Sequence, residues 1–268
     1  MTRLSGTHVV ITGGSSGIGL ATAHALVAQG AKVSLLARDS DRLDAAAAAV
    51  GEADVVVTAT VDVTDPTAVD RALQRVTAEF GPCEVLITCA GTAHPGYFEQ
   101  LDADVFREQM EVDYFGTLHP IRAVVPSMME RRRGHIVTIS STVGLIGVFG
   151  YSAYAPAKFA VRGLAETLRS ELAPYDIVVA CAFPPDTNTP GLDRENELKP
   201  VETARISAAI RPRGADHVAR AIVRGIERDR LVITADFQTA ALARAAGMLA
   251  PYVRRSTDRQ VRRARRDR

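Results

Sequence analysis

The stretch "HVVITGGSSGIGLATAHAL", residues 8–26, decides the fold. A β-favouring run, His8 to Thr12, leads straight into glycines at 13, 17 and 19 and then into a helical pattern. A turn this tight needs glycine where a Cβ would block a close ligand or the packing of helix on strand. The helix that follows offers free amide donors and the positive end of its dipole. Strand, glycine turn and helix in that order read as a pyrophosphate cradle. Gly13, Ser15, Ser16, Gly17, Ile18 and Gly19 are its expected residues, and a dinucleotide is the expected ligand.

Working outward, further apolar runs appear at "KVSLLA" (32–37), "DVVVTAT" (54–60), "EVLIT" (84–88), "HIVTIS" (135–140), "DIVVACA" (176–182) and "LVIT" (231–234). They are apolar throughout rather than alternating, as strands buried on both faces of a parallel sheet are. Helical stretches separate them at 17–29, 40–50, 66–80, 103–132 and 152–173. The alternation predicts an α/β chain: a Rossmann-type doubly wound parallel sheet of about seven strands flanked by helices, with ligands at the carboxyl ends of the strands. Residues 1–235 are expected to form one dinucleotide-binding catalytic domain and 236–268 a helical, arginine-rich tail. "FPPDTNTPGLDRENELKP", 183–200, reads as the longest irregular stretch, a mobile loop over the ligand crevice.

Composition narrows the function. The chain has 268 residues, of which 47% are hydrophobic and 24% charged, enough for one large core. It has no Trp and only 5% aromatics, so base-stacking platforms, and with them a specific nucleic-acid partner, are not expected. Cys83, Cys89 and Cys181 form no CxxC pair and read as reduced thiols. The six histidines are scattered without metal-ligand spacing, so no metal is expected. A strand within ten residues of Met1 and the lack of an eighteen-residue apolar run point to a cytoplasmic protein. Its net charge of +1 hides an asymmetry: Arg254 to Arg268 holds eight arginines and two aspartates. Two readings of that tail stand side by side, a peripheral contact with anionic membrane headgroups and a docked helix followed by a solvated charged end.

Other residues fit a nicotinamide dinucleotide. After the second strand, Ala37 occupies the position where an acid would bind a ribose 2′-hydroxyl, and Arg38 follows. A guanidinium suits a 2′-phosphate, which favours NADPH/NADP over NAD. Asp62 and Val63 end the third strand and suit an adenine, while Asp65 reads as the cap of the helix that Pro66 opens. Cys89, Ala90 and Gly91 end the fourth strand with side chains small enough for close cofactor approach.

The chemistry lies further on. Tyr154 and Lys158 are one helical turn apart, thirteen and seventeen residues after Ser141. A phenol titrating near its usual value of about 10 is a poor acid–base catalyst at neutral pH. A neighbouring ammonium and an oxidised nicotinamide favour its ionised form and are expected to lower that value. Tyr154 can then pass a proton to a substrate oxygen while Ser141 donates to the same atom. Both Tyr154 and Lys158 are expected to touch the cofactor as well.

In the order and spacing of TGGSSGIG, DVTD, CAG, SS and YxxxK, the chain resembles the short-chain dehydrogenase/reductase family over about residues 5 to 235. The resemblance implies that Pro184, Thr187 and Thr189 of "PPDTNT" line the cofactor site, with Thr189 at the nicotinamide carboxamide and Pro185 in place of the usual glycine. It implies that Asp113, in "VDYFG", stands where the family has a fourth catalytic residue, an Asn serving a water relay. An ionised Asp accepts hydrogen bonds but cannot donate them. It also implies a homodimer or homotetramer, paired through the helices at 152–173 and 103–132. Residues 108–212, above all "PPDTNTPG" with "ENELKPVET" after it, are similar to the 3-ketodihydrosphingosine (3-dehydrosphinganine) reductases. That similarity implies NADPH-dependent reduction of a long-chain keto substrate beside a membrane. The alternatives are a reductase of another lipid or of a 3-oxoacyl thioester, and a non-catalytic nucleotide-binding scaffold.

Overall fold

Nine strands are present in the computed structural model, which describes residues 1–208, 210–245, 255 and 259. They are β1 (His8–Thr12), β2 (Lys32–Ala37), β3 (Val56–Thr60), β4 (Val85–Thr88), β5 (Gly134–Ile139), β6 (Ile177–Phe183), β7 (Thr187–Asn188), β8 (Arg213–Gly214) and β9 (Val232–Thr234). Seven form one parallel sheet in the order β3-β2-β1-β4-β5-β6-β9, and β7 pairs with β8 apart from it. The strand β1 is the hinge of the topology: Val9 lies opposite Val33 on one side and Val85 on the other. The chain winds outward in both directions from the β1/β4 junction, so a crevice opens at the carboxyl ends of these two strands.

The sheet is buried on both faces because its residues are apolar on both. All five residues of β1 and all four of β4 are buried. One face packs on α1 (Gly17–Val27), α2 (Ser40–Val50) and a later helix at 215–227, through Leu26, Leu43, Ile222 and Ile226. The other packs on α3 (Pro66–Phe80), and on the long helical stretches at 103–131 and 154–172, through Val69, Leu73, Ile121, Met128 and Leu172. Asp39 and Asp65 cap α2 and α3 by accepting from the backbone N–H groups of Arg42 and Ala68.

The predicted helix at 103–132 is three pieces end to end: α4 (Ala103–Gln109), a π-helical turn (Met110–Phe115) and α5 (Gly116–Arg131). A π turn adds a residue per turn and so changes which side chains face inward. It carries Asp113, which is wholly buried. The next long helix, α6 (Tyr154–Leu172), matches its predicted span within two residues.

The expected irregular loop at 183–200 is instead largely ordered. It holds β7 and then α7 (Pro190–Leu198), followed by α8 (Val201–Ser207) and α9 (Ala215–Glu227). The prolines that suggested irregularity serve as starts: Pro190 is the first helical residue, where its missing N–H costs nothing. Thr189 caps the same helix by accepting from Leu192 N at 3.2 Å, and Leu192 buries the helix's inner face.

Of the tail, residues 237–245 are helical, with Leu242 and Ala243 packed against the α3–α5–α6 side of the core. Phe237, at its start, is exposed. Met248, Leu249, Tyr252, Val253 and nearly all of the arginine-rich end lie outside the described residues.

Candidate active site

At the β1/β4 crevice, the turn after β1 is held against two neighbouring strands. The backbone N–H groups of Gly13 and Gly14 both donate to Leu36 O, at 2.8 and 3.3 Å. Gly13 has φ +68, and a Cβ there would stand 2.7 Å from Ala90 N, so glycine is required. Gly17 has φ +55 and faces the Thr189 side chain. Ser16, at the N-cap of α1, makes no side-chain capping hydrogen bond. The leading amides of α1 therefore open into the crevice without a side-chain acceptor, an arrangement suited to a pyrophosphate.

The crevice is a cavity of about 370 Å³. Gly13, Ser15, Ser16, Gly17 and Ile18 line it from β1–α1, and Cys89, Ala90 and Gly91 line it from the end of β4. Ser141, Tyr154, Lys158 and Asp113 form its inner wall, while Pro184, Thr187 and Thr189 form the side contributed by the end of β6 and the start of α7. Four of the expected cofactor residues stand elsewhere. Gly19 packs on the Gly13 carbonyl, too close for any Cβ. Val63 is buried against Gly116. Arg38 is exposed just past β2, and Asp62 past β3 accepts from the N–H and hydroxyl of Thr64. Asp39, the acid beside Arg38, is occupied with capping α2 and pairing with Arg42 at 3.2 Å.

The inner wall is organised around one ion pair. Lys158 Nζ lies 3.0 Å from Asp113 Oδ1 and donates to Ile139 O at 3.1 Å. Thr92 N donates to the same Asp113 oxygen at 3.3 Å, whereas the buried Oδ2 has no partner. Burial alone would lower the Lys158 pKa, but Asp113, with a smaller part from Tyr154, outweighs it and the net shift is upward. Burial pushes the Asp113 pKa up in turn and Lys158 pulls it back, so at 3.0 Å the two groups hold each other in the charged form. Lys158 Nζ stands 5.5 Å from the centre of the Tyr154 ring, and Ser141 faces the same cavity as Tyr154.

The expected depression of the Tyr154 pKa is not found in this form of the protein. Burial raises it, Lys158 pulls it down, and the Asp113 and Glu195 carboxylates raise it again against a smaller pull from Ser141, which leaves it at about 12. Asp113 thus spends much of the lysine's field. The positive charge of an oxidised nicotinamide is the remaining influence that favours the phenolate.

Several wall residues escaped the sequence reading, chiefly Tyr151, Asp186 and Glu195. Tyr151 OH donates to Glu195 Oε1, and their rings place Tyr151 and Tyr154 6.0 Å apart, centre to centre. Lys199 Nζ lies 3.2 Å from Glu195 Oε1 and 4.0 Å from Asp186 Oδ2. Three residues on, the same segment is pinned again. Tyr97 OH donates to Glu202 at 2.8 Å, and Thr203 Oγ1 donates to Phe149 O at 2.9 Å. The distinctive "ENELKPVET" run is therefore a clamp: Glu195 and Thr203 tie α7 and α8 to the segment that leads into Tyr154, Glu202 ties α8 to Tyr97 in the connection after β4, and Lys199 holds Glu195 and Asp186 together.

The short chain dehydrogenase family model matches residues 7–199. A 3-dehydrosphinganine reductase of Danio rerio is 44% identical over 228 residues, covering 83% of this chain and 69% of the relative. A 3-ketodihydrosphingosine reductase of Dictyostelium discoideum is 39% identical over 269 residues, covering 93% of this chain and 80% of the relative. Among solved structures, a short chain dehydrogenase/reductase from Burkholderia phymatum in complex with NAD superposes with a TM-score of 0.82 at 25% identity, covering 91% of this chain and 94% of that one. Agreement of that extent, in the family model, in near-complete relatives and in the path of the backbone, has one reading: the chain belongs to the short-chain dehydrogenase/reductase family, an oxidoreductase family built around a nicotinamide cofactor.

Proposed function

We propose that this protein is an NADPH-dependent reductase that converts the 3-keto group of 3-ketodihydrosphingosine (3-dehydrosphinganine) to the alcohol of dihydrosphingosine. The observation that carries it is the convergence of Ser141, Tyr154 and Lys158 on the cavity that also holds the glycine turn, in a chain whose relatives bear that name. When bound, the reduced nicotinamide supplies the hydride. Ser141 and Tyr154 hold the ketone oxygen from two sides, and Tyr154 delivers the proton that the new alkoxide needs. Lys158, kept charged by Asp113, would stabilise the phenolate left behind and help to hold the cofactor. Gly13, Ser15, Ser16, Gly17 and Ile18 would seat the pyrophosphate, and Cys89, Ala90, Gly91, Pro184, Thr187 and Thr189 would line the rest of the cofactor's site.

The preference for NADPH rests on Arg38, an exposed guanidinium two residues past the Leu36 carbonyl that Gly13 holds. A carboxylate there would repel a 2′-phosphate, and the nearest one, Asp39, is engaged with α2. We read residues 1–235 as the catalytic unit and the remainder as a helix docked on it through Leu242 and Ala243, with an arginine-rich end that either contacts anionic membrane headgroups or stays solvated. Among the described residues no helix is long and apolar enough to cross a membrane. We also read the protein as a homodimer or homotetramer paired through α6.

Steady-state NADPH oxidation tests the substrate. A long-chain 2-amino-3-ketone should be turned over with at least tenfold higher kcat/KM than a 3-oxoacyl thioester. The reverse order would assign the protein to thioester reduction instead.

A further inference from the structure

Two carboxylates, Asp186 and Glu195, line the same cavity as Ser141 and Tyr154, at the end formed by α7. A ketone reductase does not need them for hydride or proton transfer. They share one ammonium, Lys199, at 4.0 and 3.2 Å, so the trio carries one uncompensated negative charge. Arg194, the other cation in this part of the wall, is exposed, where solvent screens it. Both groups that engage Glu195, the Tyr151 hydroxyl and the Lys199 ammonium, address Oε1, and neither occupies Oε2. The carboxylate also acts electrostatically on Tyr154, as its upward push on that phenol shows.

We propose that Glu195, oriented by Tyr151 and backed by Asp186, binds a protonated amino group on the carbon next to the carbonyl and so makes the site selective for α-amino ketones. The inference rests on the reading above, in which a substrate ketone oxygen sits on Tyr154 and Ser141. The geometry suits such a substrate. An α-amino nitrogen is one carbon away from the reacting carbonyl, and Glu195 is one side chain, Tyr151, away from Tyr154, with ring centres 6.0 Å apart. A neutral ketone would leave the odd carboxylate charge facing its alkyl chain, an unfavourable arrangement, whereas an ammonium neutralises it. Selectivity then comes from an attractive element for the amine and a penalty for its neutral isostere.

The test compares two ketones of equal chain length with the full chain and NADPH: a 2-amino-3-ketone, and the same ketone with the amine acetylated. The wild type should favour the free amine in kcat/KM by about ten- to a hundredfold, the usual range for a charge-assisted hydrogen bond. Glu195→Gln keeps an acceptor for Tyr151 and removes the charge. It should cut the free-amine-to-acetylated ratio of kcat/KM by most of that factor, on top of any shift that both ketones share through Tyr154, and leave NADPH affinity, read by fluorescence titration, unaltered. Asp186→Asn, a second and milder variant, should move the same ratio in the same direction. A merely structural Glu195 would lower both ketones in parallel; that outcome, or a wild type that does not discriminate, overturns the inference and spares the reductase assignment. A wild type that oxidises NADPH with neither ketone overturns both.

Discussion

Lys158 and Asp113 form a buried ion pair at 3.0 Å, where the family pattern places an Asn opposite the lysine. The pair holds the lysine charged without the help of solvent. It also sets a negative charge near Tyr154, whose ionised form it disfavours. Replacing Asp113 by Asn keeps an oxygen for Lys158 and Thr92 and puts an amide donor where Oδ2 has no partner. Removing one partner of a buried pair destabilises a protein by about 3–5 kcal/mol. Asp113→Asn should therefore lower stability by a few kcal/mol in chemical denaturation. It should also move the basic limb of the kcat/KM profile to lower pH, with turnover unchanged or higher. A complete loss of turnover would show that the carboxylate has its own role in the chemistry.

Tyr154→Phe removes the proton donor and keeps the ring against Tyr151. Turnover should fall by at least about a hundredfold, the usual contribution of a positioned acid. NADPH binding and the melting temperature should stay near wild type. Near-normal turnover would remove Tyr154 from the mechanism.

Cofactor choice is tested at the end of β2. Ala37→Asp combined with Arg38→Leu introduces the acid suited to a ribose 2′-hydroxyl and removes the guanidinium. The ratio of NADH to NADPH use in steady-state kinetics should rise at least tenfold, given charge-assisted contacts worth about 1.5–3 kcal/mol. Wild type that already prefers NADH would overturn the reading of Arg38.

The glycine turn, the seven strands and the meeting of Ser141, Tyr154 and Lys158 at one cavity were legible in the sequence because each depends on local chemistry: a positive φ, two-sided burial, one helical turn. The clamp was not. Glu195 meets Tyr151 across forty-four residues, and nothing in the spacing of either announces the other. The loop at 183–200 misled because four prolines count against a helix on average, while Pro190 sits at the one helical position that tolerates it. The direction of the Tyr154 shift also required the fold, since burial and two carboxylates brought in from π turn and α7 outweigh the lysine that the sequence displays.

Stability should fall in mild acid through His135. This side chain is buried in β5, accepts or donates at Thr2 Oγ1 and leaves Nε2 without a partner. Burial pushes its pKa down from 6.5 to about 4. The unfolded chain therefore binds a proton that the folded one refuses, and stability is lost as pH falls from 6.5 towards 4, by up to about 3 kcal/mol. Denaturation midpoints across that range should slope upward with pH, and His135→Gln should flatten the slope. His8, whose pKa burial also lowers, leaves a residual slope of the same sign. An unchanged slope in the variant would assign the acid sensitivity to other groups.

The last prediction concerns the outer face of α6. Leu164 and Leu168 pack on the core, and the outward face carries Phe159, Gly163 and Thr167. Phe159 is 41% exposed, one residue after Lys158 on the same helix. A Cβ on Gly163 would meet nothing within 4 Å, so the fold of one chain gives no reason for glycine there. In an isolated protomer, Gly163→Glu should even stabilise α6, since glycine costs about 0.5–1 kcal/mol in a helix interior. Against the α6 of a second copy, the same change forces a long charged side chain into a close helix–helix contact and brings it near its own symmetry mate. Light scattering at micromolar concentration should give a dimer or tetramer for wild type and a smaller species for Gly163→Glu, with the protomer still folded by circular dichroism. A monomeric wild type would refute the assembly, and an unchanged mass in the variant would move the interface away from α6.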